Sequence, residues 1–140
     1  MNSPAAWSLH PQIARDTASV GDLALSRLLA MNDANFPWVI LVPRRRGAIE
    51  IIDLDEAERA QLMAEIAQTS AALKELTGCR KLNVGAIGNI VPQLHIHVVA
   101  RRTDDAAWPK PVWGALPAKP YAGGELDTFV AALRRALALA

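Results

Sequence analysis

Residues 83–99 read NVGAIGNIVPQLHIHVV, and the end of this stretch alternates polar and apolar side chains. In a β-strand successive side chains point to opposite faces, so alternate residues share a face. The result is one polar and one apolar set, namely Gln93, His95 and His97, and Leu94, Ile96 and Val98. We therefore predict a strand over residues 93–100. Its apolar face belongs in a core, and its other face carries two imidazoles about 7 Å apart.

The polar face of this strand carries residue types that suit phosphate chemistry. A neutral imidazole such as His95 is a nucleophile near neutral pH, and a neighbour such as His97 can act as a donor or general acid. Backbone N–H groups at Gly88 and Asn89 can form a concave anion site in the turn, and Asn83 on the preceding strand can orient a hydroxyl or a phosphate. The spacing alone leaves two interpretations open in which these residues have no chemical role. The histidines could lie on an exposed sheet face, and the glycines could only shape a hairpin turn.

Two runs before this stretch predict the centre of an antiparallel sheet. Residues 38–42 (WVILV) form a continuous apolar run that ends at Pro43, which is typical of a buried central strand. A turn cluster separates this run from residues 23–31, whose pattern fits either a strand or a helix. If residues 25–31 form a strand, they are its hairpin partner. The form of residues 1–16 is left open.

The clearest helix signal spans residues 53–77. Asp53 is a credible N-cap, Glu56 follows at capping-box spacing, and Gly78 is the expected stop. The predicted apolar stripe consists of Leu62, Ile66, Thr69, Leu73 and Leu76.

The remaining segments complete the predicted order of elements. A strand is expected over residues 81–87, an ordered loop over residues 103–124, and a last amphipathic helix over residues 125–139. The order predicts a single α+β domain over residues 1–140, with an antiparallel sheet and helices on one side.

The composition narrows the classes of function. A net charge of +1 favours no nucleic-acid partner. The single cysteine, Cys79, precludes an internal disulfide, is expected to be buried, and fits a reducing cytoplasm. No secretory signal is apparent and no apolar run approaches the roughly 20 residues of a membrane helix, so we expect a cytoplasmic protein without a membrane partner.

Neither a metal nor a cofactor is expected from the residues available. A His-x-His pair can bind zinc, but a zinc site needs three or four ligands. Only His10 and scattered acids could complete such a site, and no Cys-x-x-Cys occurs.

Residues 93–99 (QLHIHVV) resemble the signature of the histidine-triad (HIT) family, in which three histidines alternate with apolar residues. The similarity extends to Asn83, to the turn over residues 88–91, to the strand that ends at Pro43, and to the Trp-Pro pair at residues 108–109. It covers about residues 20–114. The resemblance implies a HIT-like α+β fold, with an antiparallel sheet, one long helix and a C-terminal helix, that forms a homodimer.

The resemblance also implies a function. It indicates a nucleotide-binding hydrolase or transferase that acts at the α-phosphate of dinucleoside polyphosphates or nucleoside phosphoramidates. His95 would attack the α-phosphorus and form a transient nucleotidyl-histidine, its ring oriented by the Gln93 carbonyl. His97 would contact the phosphate and assist the leaving group. The nucleotide-binding candidates are Asn32, with Asp33 as the alternative for the ribose, and Asn83, Gly88, Asn89 and Gln93.

Two positions depart from the family pattern. Gln93 replaces the first histidine of the triad, and Ile90 replaces a hydroxyl residue in the turn. Gln forms hydrogen bonds but does not titrate, so these positions lose acid–base capacity while the predicted nucleophile and its orienting carbonyl remain. Two alternatives to an enzyme follow: a nucleotide-binding module without catalysis, and a dimeric interaction protein suggested by Trp108 and Trp113.

Overall fold

The structure is a computed structural model that describes residues 7–139. The six residues before this range, part of the stretch whose form the sequence left open, and the last residue of the predicted 1–140 domain lie outside it. The helices are α1 (Pro11–Asp16), α2 (Glu56–Thr77) and α3 (Glu125–Ala136), and a short 3-10 turn spans Ile51–Asp53. The strands are β1 (Thr17–Asp22), β2 (Ser26–Met31), β3 (Trp38–Pro43), β4 (Lys81–Gly85) and β5 (Ile96–Arg101).

The five strands form one antiparallel sheet in the order β1-β2-β3-β5-β4. The predicted α+β class is confirmed, and so is the antiparallel pairing of β2 with the central strand β3. The edge strand β1 was not predicted. Its sequence, TASVGD, has few apolar residues, and its register shifts between Ser19 and Gly21, which breaks the alternation that would have marked it.

The sheet has a core on each face. The two predicted helices lie on one side, as predicted, but α1, which was not predicted, lies on the other. Helices α2 and α3 cover one face, through residues such as Leu73 and Leu133. On the other face Ile13 of α1 packs with β2, β3 and β5, and Val112 from the loop over residues 103–124 joins it. That loop contains no helix or strand, as predicted. Cys79 is buried, also as predicted.

The long helix begins two residues later than its predicted N-cap. Asp55 caps it and exchanges hydrogen bonds with Glu58 in a capping box, while Asp53 closes the preceding 3-10 turn. Two Asp–Glu pairs have capping-box spacing here, Asp53 with Glu56 and Asp55 with Glu58. The sequence rule alone could not choose between them. Leu76, predicted to be buried, is exposed, whereas Gly78 ends the helix in a left-handed conformation (φ 62°) as expected.

Both strands of the motif hairpin are shorter than predicted. β4 ends at Gly85, which pairs with His97, and β5 begins only at Ile96. Pro92 has no N–H to donate, and the N–H of Leu94 donates to the carbonyl of Ala48 rather than to a strand. The intervening residues are therefore free to form a loop at one end of the sheet.

No helix within residues 7–139 has both the length and the apolar character needed to cross a bilayer.

A buried carboxylate joins α2 to the sheet. Glu65 accepts hydrogen bonds from the N–H groups of Leu25 and Ser26, at 2.7 and 2.9 Å, and from the side-chain amide of Gln61 at 2.8 Å. The chain between β1 and β2 turns sharply there, so those two N–H groups are satisfied by the helix. This contact sets the position of α2 against the hairpin of β1 and β2.

Replacing Glu65 should destabilise the fold. We expect Glu65→Ala to lower the free energy of unfolding by about 3 kcal/mol, because two buried N–H groups lose a charged acceptor. Glu65→Gln, which keeps one acceptor oxygen, should cost less. Urea unfolding measures both. Glu75→Ala, on an exposed position of the same helix, is the matched control and should change stability by no more than about 0.5 kcal/mol; equal losses for Glu65→Ala and Glu75→Ala would contradict the assignment.

Candidate functional site

A cavity of about 480 Å³ opens on the sheet face opposite α2 and α3. Its floor is formed by Met31 of β2, Trp38 and Ile40 of β3, and His97 of β5. β3 and β5 pair with Ile40 opposite His97, so these side chains lie next to one another on one face. The volume is in the range of small-ligand sites.

Three other segments wall the cavity. Helix α1 contributes Gln12 and Asp16, the loop over residues 87–91 covers a second side, and Trp113 closes a third. Gly88 in the loop has φ 65°, a left-handed conformation that glycine adopts without strain. His95 also lines the cavity, so the structure brings together both predicted catalytic histidines, Gly88 and Asn89.

The ring of His95 is oriented by a backbone carbonyl. Its Nδ1 lies 2.7 Å from the carbonyl oxygen of Gln93. A carbonyl can only accept, so Nδ1 carries a proton, and in the neutral imidazole the lone pair is then at Nε2. The sequence-based prediction of this contact is confirmed. The rings of His95 and His97 are 4.9 Å apart between centroids, which also confirms that they share one face.

His97 is more deeply buried than its neighbour. It is 6% exposed, and the indole Nε1–H of Trp38 donates to its Nδ1 at 3.0 Å. Burial, and secondarily the proximity of His95, lowers the pKa of His97 to about 3. His97 is therefore a neutral imidazole throughout the physiological pH range.

Three predicted nucleotide-binding residues are engaged away from the cavity. The side chain of Gln93 accepts from the N–H of His10 at 2.8 Å and donates to the carbonyl of Ser8 at 2.9 Å. Asn83 accepts from Arg101 at 2.9 Å. Asn32 accepts from the N–H of Tyr121 at 2.9 Å, which ties β2 to the loop before α3.

The alternative ribose candidate is also occupied by the protein. Asp33 is buried, and one of its oxygens accepts from the N–H groups of Asn35 and Lys119. It therefore holds two loops together, and the structure places a different carboxylate in the cavity.

Three cavity residues were not predicted from the sequence: Gln12, Asp16 and Trp113. Asp16 is the acidic side chain among the described lining residues, and it accepts from the side chain of Gln12 at 2.9 Å. Its position depends on α1, a six-residue helix in a stretch whose form the sequence left open. A proline at the first helical position, behind His10 as the N-cap, was the available signal.

The cavity carries no Lys or Arg among its described lining residues. Two arginines that follow β3 bond elsewhere. Arg44 donates to the carbonyls of Leu23 and Ala24, and Arg45 donates to Glu58. Within residues 7–139 no group of three or more histidine, cysteine or acidic side chains is arranged to hold a metal ion. Anion binding here must rely on N–H groups and imidazoles.

The lowered pKa of His97 should appear as pH-dependent stability. Between pH 6.5 and about 3 the unfolded chain binds a proton on this imidazole and the folded chain does not. Its contribution is thus complete above pH 6.5 and is lost as the pH falls. From pH 7.5 to pH 5 we expect the free energy of unfolding of the wild type to fall by about 2 kcal/mol more than that of His97→Asn.

Urea unfolding at both pH values tests this expectation. Both pH values lie above the range in which Asp22 and Asp105 titrate, because the pKa values of these groups are lowered from 3.8. Parallel pH dependence in the wild type and in His97→Asn would contradict the burial argument.

Comparisons with known proteins agree with this geometry. A family model described as the HIT domain matches residues 13–104. A histidine triad protein from Bradyrhizobium japonicum is 56% identical, with a TM-score of 0.91 over 94% of this chain and 98% of that one. A HIT protein from Sinorhizobium meliloti is 41% identical, with a TM-score of 0.93 over 96% of this chain and 100% of that one. A histidine triad protein from Marinobacter aquaeolei is 42% identical, with a TM-score of 0.91 over 94% and 96%.

No curated protein matches the chain. The family model covers well over half of the chain, and the three structural relatives span nearly all of it. The chain belongs to the histidine-triad family.

Proposed function

We propose that this protein is a nucleotide-binding hydrolase or transferase that acts at the α-phosphate of nucleoside phosphate derivatives. The family includes nucleotide hydrolases and transferases, which supports the general class. The observation that carries the proposal is the side-by-side placement of His95 and His97 in a ligand-sized cavity, with Nδ1 of His95 held by the Gln93 carbonyl.

The proposed reaction has two displacements. Nε2 of His95 attacks the α-phosphorus, a phosphorus–nitrogen bond forms, and the bond to the leaving group breaks with its electron pair going to that group; an amine leaving group takes up a proton from solvent as it departs. Water, in a hydrolase, or another acceptor, in a transferase, then attacks the same phosphorus and releases His95, and its proton passes to solvent. Substrates of the dinucleoside polyphosphate or phosphoramidate type fit this scheme, because both present an α-phosphate bonded to a leaving group.

The loop over residues 87–91 is the proposed phosphate seat. The left-handed conformation of Gly88 is one in which successive backbone N–H groups can converge on an anion. Gly88 and Asn89 line the cavity beside His95. Fixed N–H donors would stabilise the charge that develops on the phosphoryl oxygens.

Asp16 is the proposed partner of the sugar hydroxyls. A carboxylate accepts two hydrogen bonds side by side, which suits a vicinal diol. The sequence-based ribose candidates Asn32 and Asp33 are bonded to the backbone of other loops. In this proposal Asn83 and Gln93 keep their structural contacts and support the site from outside the cavity.

The remaining predictions about partners are part of the proposal. A small-molecule nucleotide is the expected ligand, with no nucleic-acid partner, in a cytoplasmic homodimer. In the single chain β4 is an edge strand of the sheet, with Val84 about half exposed.

Loss of His95 should abolish the covalent intermediate. After a brief incubation with adenosine 5′-phosphoramidate, intact-mass analysis of the wild type should show an adenylyl adduct, and His95→Ala should show none. Turnover by His95→Ala should fall by at least about 10³-fold, because no other group supplies the nucleophile. His10→Asn, which removes an imidazole but preserves the helix cap, is the matched control and should still form the adduct.

The same experiment tests the alternative of a binding module without catalysis. That alternative is favoured by the structural use of Gln93 and by Ile90, which is 92% exposed and brings no hydroxyl to the loop. Calorimetric binding of adenosine monophosphate without any adduct or product would establish it. Unchanged turnover in His95→Ala would overturn the proposed mechanism.

Loss of Asp16 should weaken recognition of the sugar. We expect Asp16→Ala to raise KM for adenosine 5′-phosphoramidate by about 10- to 100-fold, the cost of a lost charged hydrogen bond. The variant should also lose the preference for the ribonucleotide over its 2′,3′-dideoxy analogue. Steady-state kinetics with both substrates measure this, and Asn32→Ala provides the comparison. A lost preference in Asn32→Ala, with Asp16→Ala unaffected, would restore the original ribose assignment.

A further inference from the structure

His97 is enclosed by aromatic rings and carries one strong side-chain hydrogen bond. The centroid of Trp38 lies 5.6 Å from that of His97, and Trp113 lies 5.4 Å away and nearly perpendicular. Trp38 comes from β3, where it pairs with Val99 and lies diagonally across from His97, and its Nε1–H points at Nδ1 of the imidazole. Nothing in the sequence pattern distinguished Trp38 from the other core residues of this strand.

The bond to Trp38 determines where the proton of His97 lies. An indole nitrogen is only a donor, so Nδ1 of His97 must be an acceptor. A neutral imidazole has one N–H, and that N–H must therefore be at Nε2. We propose that Trp38 is a positioning residue that locks His97 as an Nε2–H donor toward the cavity, so that His97 gives a hydrogen bond to the substrate rather than a proton.

This arrangement gives the two histidines opposite polarity. His95 donates through Nδ1 to the Gln93 carbonyl, so its neutral form presents a lone pair at Nε2. His97 accepts at Nδ1 and presents an N–H at Nε2. Each ring is set by a partner that can form the bond in one direction only, a carbonyl in one case and an indole in the other. One imidazole is thus a nucleophile, and the adjacent one is a donor suited to a phosphoryl or leaving-group oxygen.

The surroundings of His97 support a neutral donor. β3 contributes Trp38 and Ile40, β4 contributes Gly85, and the loop over residues 103–124 contributes Trp113. Among the described groups, His95 is the titratable side chain in ring contact with His97, and Asp16 is the charged group on the cavity wall. Burial and the neighbouring imidazole both oppose a positive charge on His97, and no carboxylate of the described residues is paired with it.

The tautomer can be measured without any turnover. In protein labelled with 15N-histidine, long-range proton–nitrogen spectra should show His97 as a single Nε2–H tautomer from pH 8 to pH 5. Trp38→Phe keeps an aromatic ring but removes the donor, and should give a mixture of the two tautomers. Trp113→Phe is the matched control: it removes an indole N–H from an equally close ring, one that has no partner within residues 7–139, and should leave the tautomer unchanged.

Two results would overturn the proposal: an Nδ1–H or protonated His97 in the wild type, or an unchanged tautomer in Trp38→Phe. If Trp38→Phe does not fold, benzothienylalanine at position 38 keeps the bicyclic shape while replacing N–H with sulfur, and the same mixture of tautomers is expected.

The donor role of His97 rests on the proposed function and is tested separately. With adenosine 5′-phosphoramidate, Trp38→Phe should lower kcat by about 10- to 100-fold, as expected for a disturbed transition-state donor, with KM changed by less than about threefold. Trp38→Gln, which restores an N–H donor, should recover part of kcat and part of the Nε2–H tautomer. A shifted tautomer with unchanged kcat would remove the donor role. Absence of any adduct at His95 would remove the proposed function and leave the tautomer result standing.

Discussion

The pairing of β3 with β5 fixes both the core of the protein and the floor of its cavity. Both strands are buried at all six of their positions, and their fixed register places Ile40 beside His97. Because side chains alternate, one face of the pair closes the core under α2 and α3 and the other becomes the floor of the cavity. A shift of one residue would move His97 into that core and an apolar neighbour into the site.

Buried polar contacts hold the loop that brings Trp113 to the cavity from outside the motif. Arg101, at the end of β5, is buried and bonds to Asn83 and to both carboxylate oxygens of Asp105. Burial alone would raise the pKa of Asp105, but the hydrogen bonds from Arg101 and from nearby N–H groups hold it at about 2. This network anchors the start of the long loop that carries Trp113 to the cavity. An irregular segment can form a wall because its first turn is fixed.

The sequence predicted the strands whose pattern of apolar residues matches the burial of their two faces. The run WVILV is apolar on both faces and is buried on both faces, and the alternation around His95 and His97 identified the two catalytic candidates. It failed at α1 and β1, because a six-residue helix and a bulged edge strand have almost no periodicity to detect. Asp16 was missed for that reason, and Trp38 because a hydrogen bond across strands leaves no trace in the residue type. Asn32, Asn83 and Gln93 were named from motif position, yet their side chains bond within the protein.

The side chain of Gln93 lies where the family motif has its first histidine, but it bonds to the backbone of the protein. Its amide joins the segment before α1 to the motif strand, as a donor to Ser8 and an acceptor from His10. The first position of the motif thus has a structural role here, because it fixes the two residues His10 and Ser8 just before α1. In this chain the side chain of Gln93 therefore holds the segment before α1 against the motif, whatever becomes of the chemistry at His95.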